Sequence, residues 1–296
     1  MNTLILGASG LIGSNLLREI KGTVNWNVTG TYFSYPAKDT LKYNTLDLND
    51  KENLDITKIE PEVIVHCGAL TWVDYCEKNT DESFQKTVQS TINAVKIAEK
   101  YKSKFVYLST DYIFNGENGP YREDDIADPI SVYGRHKWEA EQVVLNSLVD
   151  SIICRVTNVY GNEERGKNFV SRLIGLALSR KIEDISLPID QFATPVNAAD
   201  VAKGIIHLLR DNKTGIYNLA STDYMNRYQL ATRVLKYFPE NSLNLVPVLT
   251  PDLNQVAKRP LLGGLISEKF LKEYPTYEFG NTDDYINDFI RKQQTT

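Results

Sequence analysis

Short apolar runs alternate with helical periodicity through the first half of the chain. Leu4-Ile5-Leu6 is the first run, and it ends in Gly7-Ala8-Ser9-Gly10-Leu11-Ile12-Gly13. Apolar residues at 11, 12, 16, 17 and 20 then share one face of a helix. Further strands are predicted over 27–32, near 41–46, at Val63-Ile64-Val65-His66-Cys67, at Phe105-Val106-Tyr107-Leu108 and at Ile152-Ile153-Cys154-Arg155-Val156. Helices are predicted between them over 83–101 and, after Pro129, over 130–147. Apolar strands spaced by helices predict a parallel sheet covered on both faces. Ligands of such sheets bind beyond the carboxyl ends of the strands.

The second half reads differently. Helices are predicted at 168–180, 198–210 and 226–238, with short strands near 184–187 and 215–219. Loops there hold Pro188, Pro195, Pro247, Pro251 and Pro260. The expected architecture is α/β, a Rossmann-type doubly wound parallel sheet with a smaller α+β substrate-binding lobe. The expected division is a dinucleotide-binding domain over 1–160, joined by a returning segment near 192–212, and a lobe over 161–296 that mainly binds substrate.

Glycines at 7, 10 and 13 sit in a strand–turn–helix. Glycine allows the tight turn and lets a pyrophosphate approach the main chain, while the helix N-terminus offers free N–H groups. An NAD site places Asp or Glu at the end of the second strand to hold the ribose 2′-hydroxyl. Here the stretch runs Thr31-Tyr32-Phe33-Ser34, and the first acid is Asp39. That points to NADPH, with NADH as the alternative, and leaves Ser34 or Lys38 to meet a 2′-phosphate.

The chemistry is carried by two further segments. Tyr133 and Lys137 stand at i and i+4 on a predicted helix, so they share a face. A nearby ammonium lowers a tyrosine pKa, which suits the phenol to acid–base work. Thr110, in Ser109-Thr110-Asp111-Tyr112, sits at the carboxyl end of a strand, where a hydroxyl can bond a carbonyl oxygen as charge develops on it.

Gly7-x-x-Gly10-x-x-Gly13, Ser109-Thr110-Asp111-Tyr112 and Tyr133-x-x-x-Lys137 together resemble the extended short-chain dehydrogenase/reductase family. Ser-Thr-Asp-Tyr-Ile-Phe at 109–114, Val-Tyr-Gly-Arg-His-Lys at 132–137, Asp-Gln-Phe-Ala-Thr-Pro at 190–195 and Lys-Arg-Pro at 258–260 resemble its dTDP-4-dehydrorhamnose reductase branch. The resemblance implies that Gly7, Ser9, Gly10, Leu11, Ile12 and Gly13 cradle the pyrophosphate. It implies that Asp47 and Leu48 meet adenine, and that Cys67, Gly68 and Ala69 flank the cofactor. Thr110, Tyr133 and Lys137 become the catalytic set, with Tyr133 and Lys137 also touching cofactor. Thr110, Asp111, Asn158, Gln191 and Arg259 would face a sugar nucleotide. The implied activity is NADPH-dependent reduction of the 4-keto group of a nucleotide-activated deoxysugar. An epimerase of the same family, or a non-catalytic regulatory subunit like that of methionine adenosyltransferase, stays open. Asn158 stands where branch members often carry Trp, which leaves the sugar and base open.

Composition narrows the partners. The chain has 296 residues, a net charge of −5 and three cysteines. No basic excess exists to meet nucleic acid or an anionic membrane. Three scattered cysteines make neither a disulfide framework nor a zinc site, so no metal-binding residues are expected, while assistance by a divalent ion stays open. No apolar run reaches the ~18 residues of a spanning helix. The start lacks a basic leader, and the expected location is cytoplasmic. The expected partners are a sugar nucleotide and at most a second copy of the chain.

Overall fold

The computed structural model describes residues 1–294. In chain order the first part holds β1 (Asn2–Leu6), α1 (Leu11–Lys21), β2 (Asn27–Tyr32), β3 (Thr40–Lys42), β4 (Val63–His66) and α2 (Val73–Lys78). Next come α3 (Thr80–Phe84), α4 (Ser90–Tyr101), β5 (Lys104–Thr110), α5 (Val132–Leu145) and β6 (Ser151–Val156). The rest holds α6 (Phe169–Ser179), β7 (Glu183–Pro188), β8 (Phe192–Ala193), α7 (Ala198–Arg210), β9 (Gly215–Asn218) and β10 (Met225–Asn226). It ends with α8 (Arg227–Leu235), β11 (Leu243–Val248), α9 (Glu268–Glu273) and α10 (Thr282–Gln294).

Seven strands form one parallel sheet in the order β3-β2-β1-β4-β5-β6-β9. Side chains alternate across it with period two. Ile5, Val65, Val106 and Ile152 enter one core with Leu16 and Ile20 of α1 and Val201 and Ile205 of α7. Leu4, Leu6, Ile64 and Phe105 enter the other, against Ala94 and Ala98 of α4 and Ala140 and Val144 of α5. Both faces are therefore covered, which is why the strands read as continuous apolar runs. The strand order reverses direction at β1, whose neighbours are β2 and β4. A crevice opens at such a point, beyond the strand ends.

Two elements differ from expectation. The strand near 215–219 is β9, which lies not in the smaller lobe but at the edge of the main sheet, paired with β6. Tyr217 supplies the reason, because it is buried in the α1–α7 core. The helix expected over 83–101 is interrupted by a π-helical turn at Gln85–Gln89 between α3 and α4. A third core gathers Val170, Leu173 and Ile174 of α6, Leu230 and Val234 of α8, and Ile286 of α10. Beside it β7 and β11 pair in parallel, and β8 pairs antiparallel with β10. No described helix is long and apolar enough to cross a membrane.

Candidate active site

The loop after β1 is shaped by its glycines. Gly7 has φ +83°, and a Cβ there would lie 2.9 Å from the Gly68 nitrogen. A Cβ on Gly13 would lie 2.5 Å from the Gly7 carbonyl oxygen. The glycines thus let α1 start close against the β1 and β4 loops. Cys67 N–H donates to Leu6 O at 2.8 Å, and Ala8 N–H donates to Thr31 O at 2.7 Å. The first turn of α1 carries no acidic residue. That helix start lines the crevice and carries the unpaired N–H groups that favour an anion.

A cleft of about 800 Å³ runs from this loop to α8. Gly10, Leu11, Ile12, Gly13, Cys67 and Ala69 line one end. Gly7, Ser9 and Gly68 belong to the same loops but stand outside the lining. Tyr133, Lys137 and Ser109 form the middle, and Asn158, Gln191, Arg227 and Arg259 the far wall.

Tyr133 is placed by α5. Ser131 caps that helix by accepting from Gly134 N–H at 3.2 Å. Gly134 itself allows the approach to the end of β5, since a Cβ there would lie 2.1 Å from the Tyr112 carbonyl oxygen. The Tyr133 ring meets Tyr112 edge-on at 5.5 Å. Burial raises the Tyr133 pKa above that of a free phenol, and a hydrogen bond with the Thr110 hydroxyl works against that rise. The sequence had assigned the lowering to Lys137. The lysine is occupied otherwise: its Nζ donates to Leu108 O and lies 4.1 Å over the Tyr107 ring. Burial brings Lys137 down to about 7, with Glu141 and Cys67 pulling the other way.

Asp111 was expected to face substrate, but it is a buried clamp. Its Oδ2 accepts from Thr157 Oγ1 at 2.7 Å and from Gly264 N–H at 3.0 Å, joining three distant loops. Leu48 was expected at adenine, yet its side chain lines a separate hollow with Tyr43, Lys96 and Lys100. Asp47 is exposed and accepts from Asn49 N–H at 3.0 Å through one of its oxygens. Ser34 is exposed and outside the cleft lining.

Arg259 does reach the cleft, held by Asp74 at 2.8 Å. Gln191 is fixed by Thr250 at 2.9 Å and Gln255 at 2.8 Å. Sequence reasoning missed Arg227, at the start of α8. It donates to Asn158 Oδ1 at 2.7 Å and packs 4.9 Å over the Phe169 ring. Burial and the nearby Arg259 lower its pKa. No carboxylate pairs with it among the described residues. Asn158, singled out for replacing Trp, was the one signal that could have led to it.

The residues suit a dinucleotide: a left-handed glycine that no side chain could replace, a helix start free of acids, and a long cleft. Ser109 lines its middle, and its buried hydroxyl has no hydrogen-bond partner among the described residues. Among the described residues no group of three His, Cys, Asp or Glu could hold a metal ion.

Methionine adenosyltransferase 2 subunit beta of Bos taurus is 29% identical over 250 residues, covering 83% of this chain and 74% of the relative. A dTDP-4-dehydrorhamnose reductase of Aggregatibacter actinomycetemcomitans is 29% identical over 271 residues, covering 87% of each. The crystal structure of dTDP-4-dehydrorhamnose reductase from Bacillus anthracis str. Ames in complex with NADP superposes with TM-score 0.85 at 26% identity, covering 98% of both chains. The family model of the RmlD substrate binding domain matches residues 1–284, and the chain belongs to that family.

Proposed function

We propose that the protein is an NADPH-dependent reductase of the 4-keto group of a nucleotide-activated deoxysugar, of the dTDP-4-dehydrorhamnose reductase type. One observation carries the reading. A single cleft joins the glycine loop, Tyr133 with Lys137, and an arginine wall in which, among the described residues, no carboxylate makes an ion pair with Arg227. A cofactor fits the first part and a diphosphate the last, because a guanidinium fork binds two phosphate oxygens at once.

NADPH, when bound, supplies the hydride. Tyr133 keeps its proton at neutral pH because burial holds its pKa up. In a reduction it is therefore ready to give that proton to the substrate oxygen. Thr110 is buried outside the cleft lining and donates to Asp111 Oδ1 at 3.3 Å, so its hydroxyl would have to turn from Asp111 to bond the same oxygen as charge builds on it. Lys137 holds the cofactor ribose, with Gly10 to Gly13 at the pyrophosphate. Arg227 and Arg259 fix the substrate diphosphate, and the fixed geometry makes the step effectively unimolecular.

The same reading includes a cytoplasmic protein and a homodimer, the latter checked by light scattering. The bovine relative, named as a subunit of another enzyme, supports a second reading: a cofactor-binding regulatory chain. A panel of nucleotide 4-keto-sugars separates the two. A reductase consumes NADPH in proportion to sugar, an epimerase leaves it unchanged while altering the sugar, and a regulatory chain does neither.

A further inference from the structure

We propose that Arg165 reads the 2′-phosphate of NADPH and sets the preference over NADH. The inference rests on the cofactor part of the reading above. In doubly wound folds the adenosine ribose lies at the end of the second strand, where an acid selects NAD and an arginine admits NADP. Here β2 ends at Tyr32, and no acid follows until Asp39. Asp39 is held by Lys21 at 2.7 Å, so it does not turn a second anion away. Ser34 and Lys38 follow β2 directly, yet both are exposed and neither lines the cleft.

The cation comes from the other side. Arg165 lies on the loop between β6 and α6 and lines the same cleft as Gly10 to Gly13. Its guanidinium sits 5.1 Å over the ring of Tyr35, three residues beyond β2. Its Nε is buried and makes no hydrogen bond. Among the described residues no carboxylate pairs with it, and Glu163 in its own loop is occupied by Asn168 N–H at 2.6 Å and Nδ2 at 3.0 Å. The loop is tied to α1, where Asn15 Nδ2 donates to Asn162 O at 2.9 Å. A guanidinium steadied on an aromatic face, with unspent donors in the same cleft as a helix N-terminus, is a receptor for phosphate oxygens.

Binding, rather than turnover, tests this. Dissociation constants are measured by titration calorimetry for NADPH, NADH, 2′,5′-ADP and 5′-ADP, on the full chain and on Arg165→Gln and Lys38→Gln. Arg165→Gln should weaken NADPH and 2′,5′-ADP by about 10- to 100-fold, the scale of a charged hydrogen bond. NADH and 5′-ADP should stay within about threefold, since they lack the phosphate. Lys38→Gln should bind all four like the parent. Equal weakening of all four, no change, or a selective loss in Lys38→Gln instead would overturn the assignment. Absence of sugar reduction would leave these binding ratios untouched, so the two readings fail separately.

Discussion

The approach of α5 to the end of β5 gives a sharp test in Gly134→Ala. The added methyl would lie 2.1 Å from the Tyr112 carbonyl oxygen and 3.0 Å from its carbon, and only contacts of 3.0 Å or more occur in practice. The obstacle is backbone, so no rotamer relieves it, and α5 must retreat by about 1 Å relative to the β5 end. Alanine favours a helix over glycine by about 1 kcal/mol, whereas overpacking costs about 1–3 kcal/mol. The net expectation is a loss of about 0–2 kcal/mol in urea unfolding. Activity should fall much further, by about 10²-fold, because Tyr133 moves away from Thr110. Gly175→Ala is the matched control, a glycine inside α6 with open space at its Cβ. It should gain up to about 1 kcal/mol and keep its rate. If Gly134→Ala keeps both full stability and full turnover, the close approach does not position the tyrosine.

Other expectations concern the clamp, the buried pair and a buried histidine. Asp111→Ala strands the Thr157 hydroxyl and the Gly264 N–H, and urea unfolding should show a loss of about 1–3 kcal/mol or more. Arg155 makes a two-pronged pair with buried Glu141, at 3.0 and 2.8 Å. Arg155→Met leaves that carboxylate alone and should cost about 3–5 kcal/mol, read from the same curves. Burial, helped by Lys137, lowers His66 to about 3, so the fold holds it neutral. Its contribution is complete above about 6.5 and is lost as pH falls from there toward 3. His66→Gln should therefore flatten the loss of stability across that window by up to about 1.4 kcal/mol per pH unit. An unchanged slope would show that His66 does not titrate with unfolding.

Legibility followed the range of the forces involved. The β1 loop and α1 could be read because glycine spacing and helical periodicity are local properties of residues 4 to 20. The helix expected at 168–180 is α6, Phe169–Ser179, for the same reason, with Asn168 as its cap. β11 went unread because Pro247 argues against a strand; it forms because β7 offers a parallel partner. The segments holding Thr110, Tyr133 and Lys137 stood out as motifs, but the wall facing them did not. Arg259 is set by Asp74, 185 positions away in the chain, and Asp111 by Gly264, 153 away. Arg165 and Arg227 lie in no motif, and only the folded cleft brings them beside Tyr35 and Asn158.

The central claim is that the protein reduces a nucleotide-linked 4-keto sugar with Tyr133 as the acid. The direct measurement follows NADPH absorbance with dTDP-4-dehydrorhamnose, for the parent chain and for Tyr133→Phe, with NADPH affinity measured beside it. NADPH and sugar should be consumed in equal amounts. In Tyr133→Phe the rate should fall by about 10²-fold or more at unchanged cofactor affinity. NADPH that binds but is never consumed, or a phenylalanine variant as fast as the parent, would contradict it.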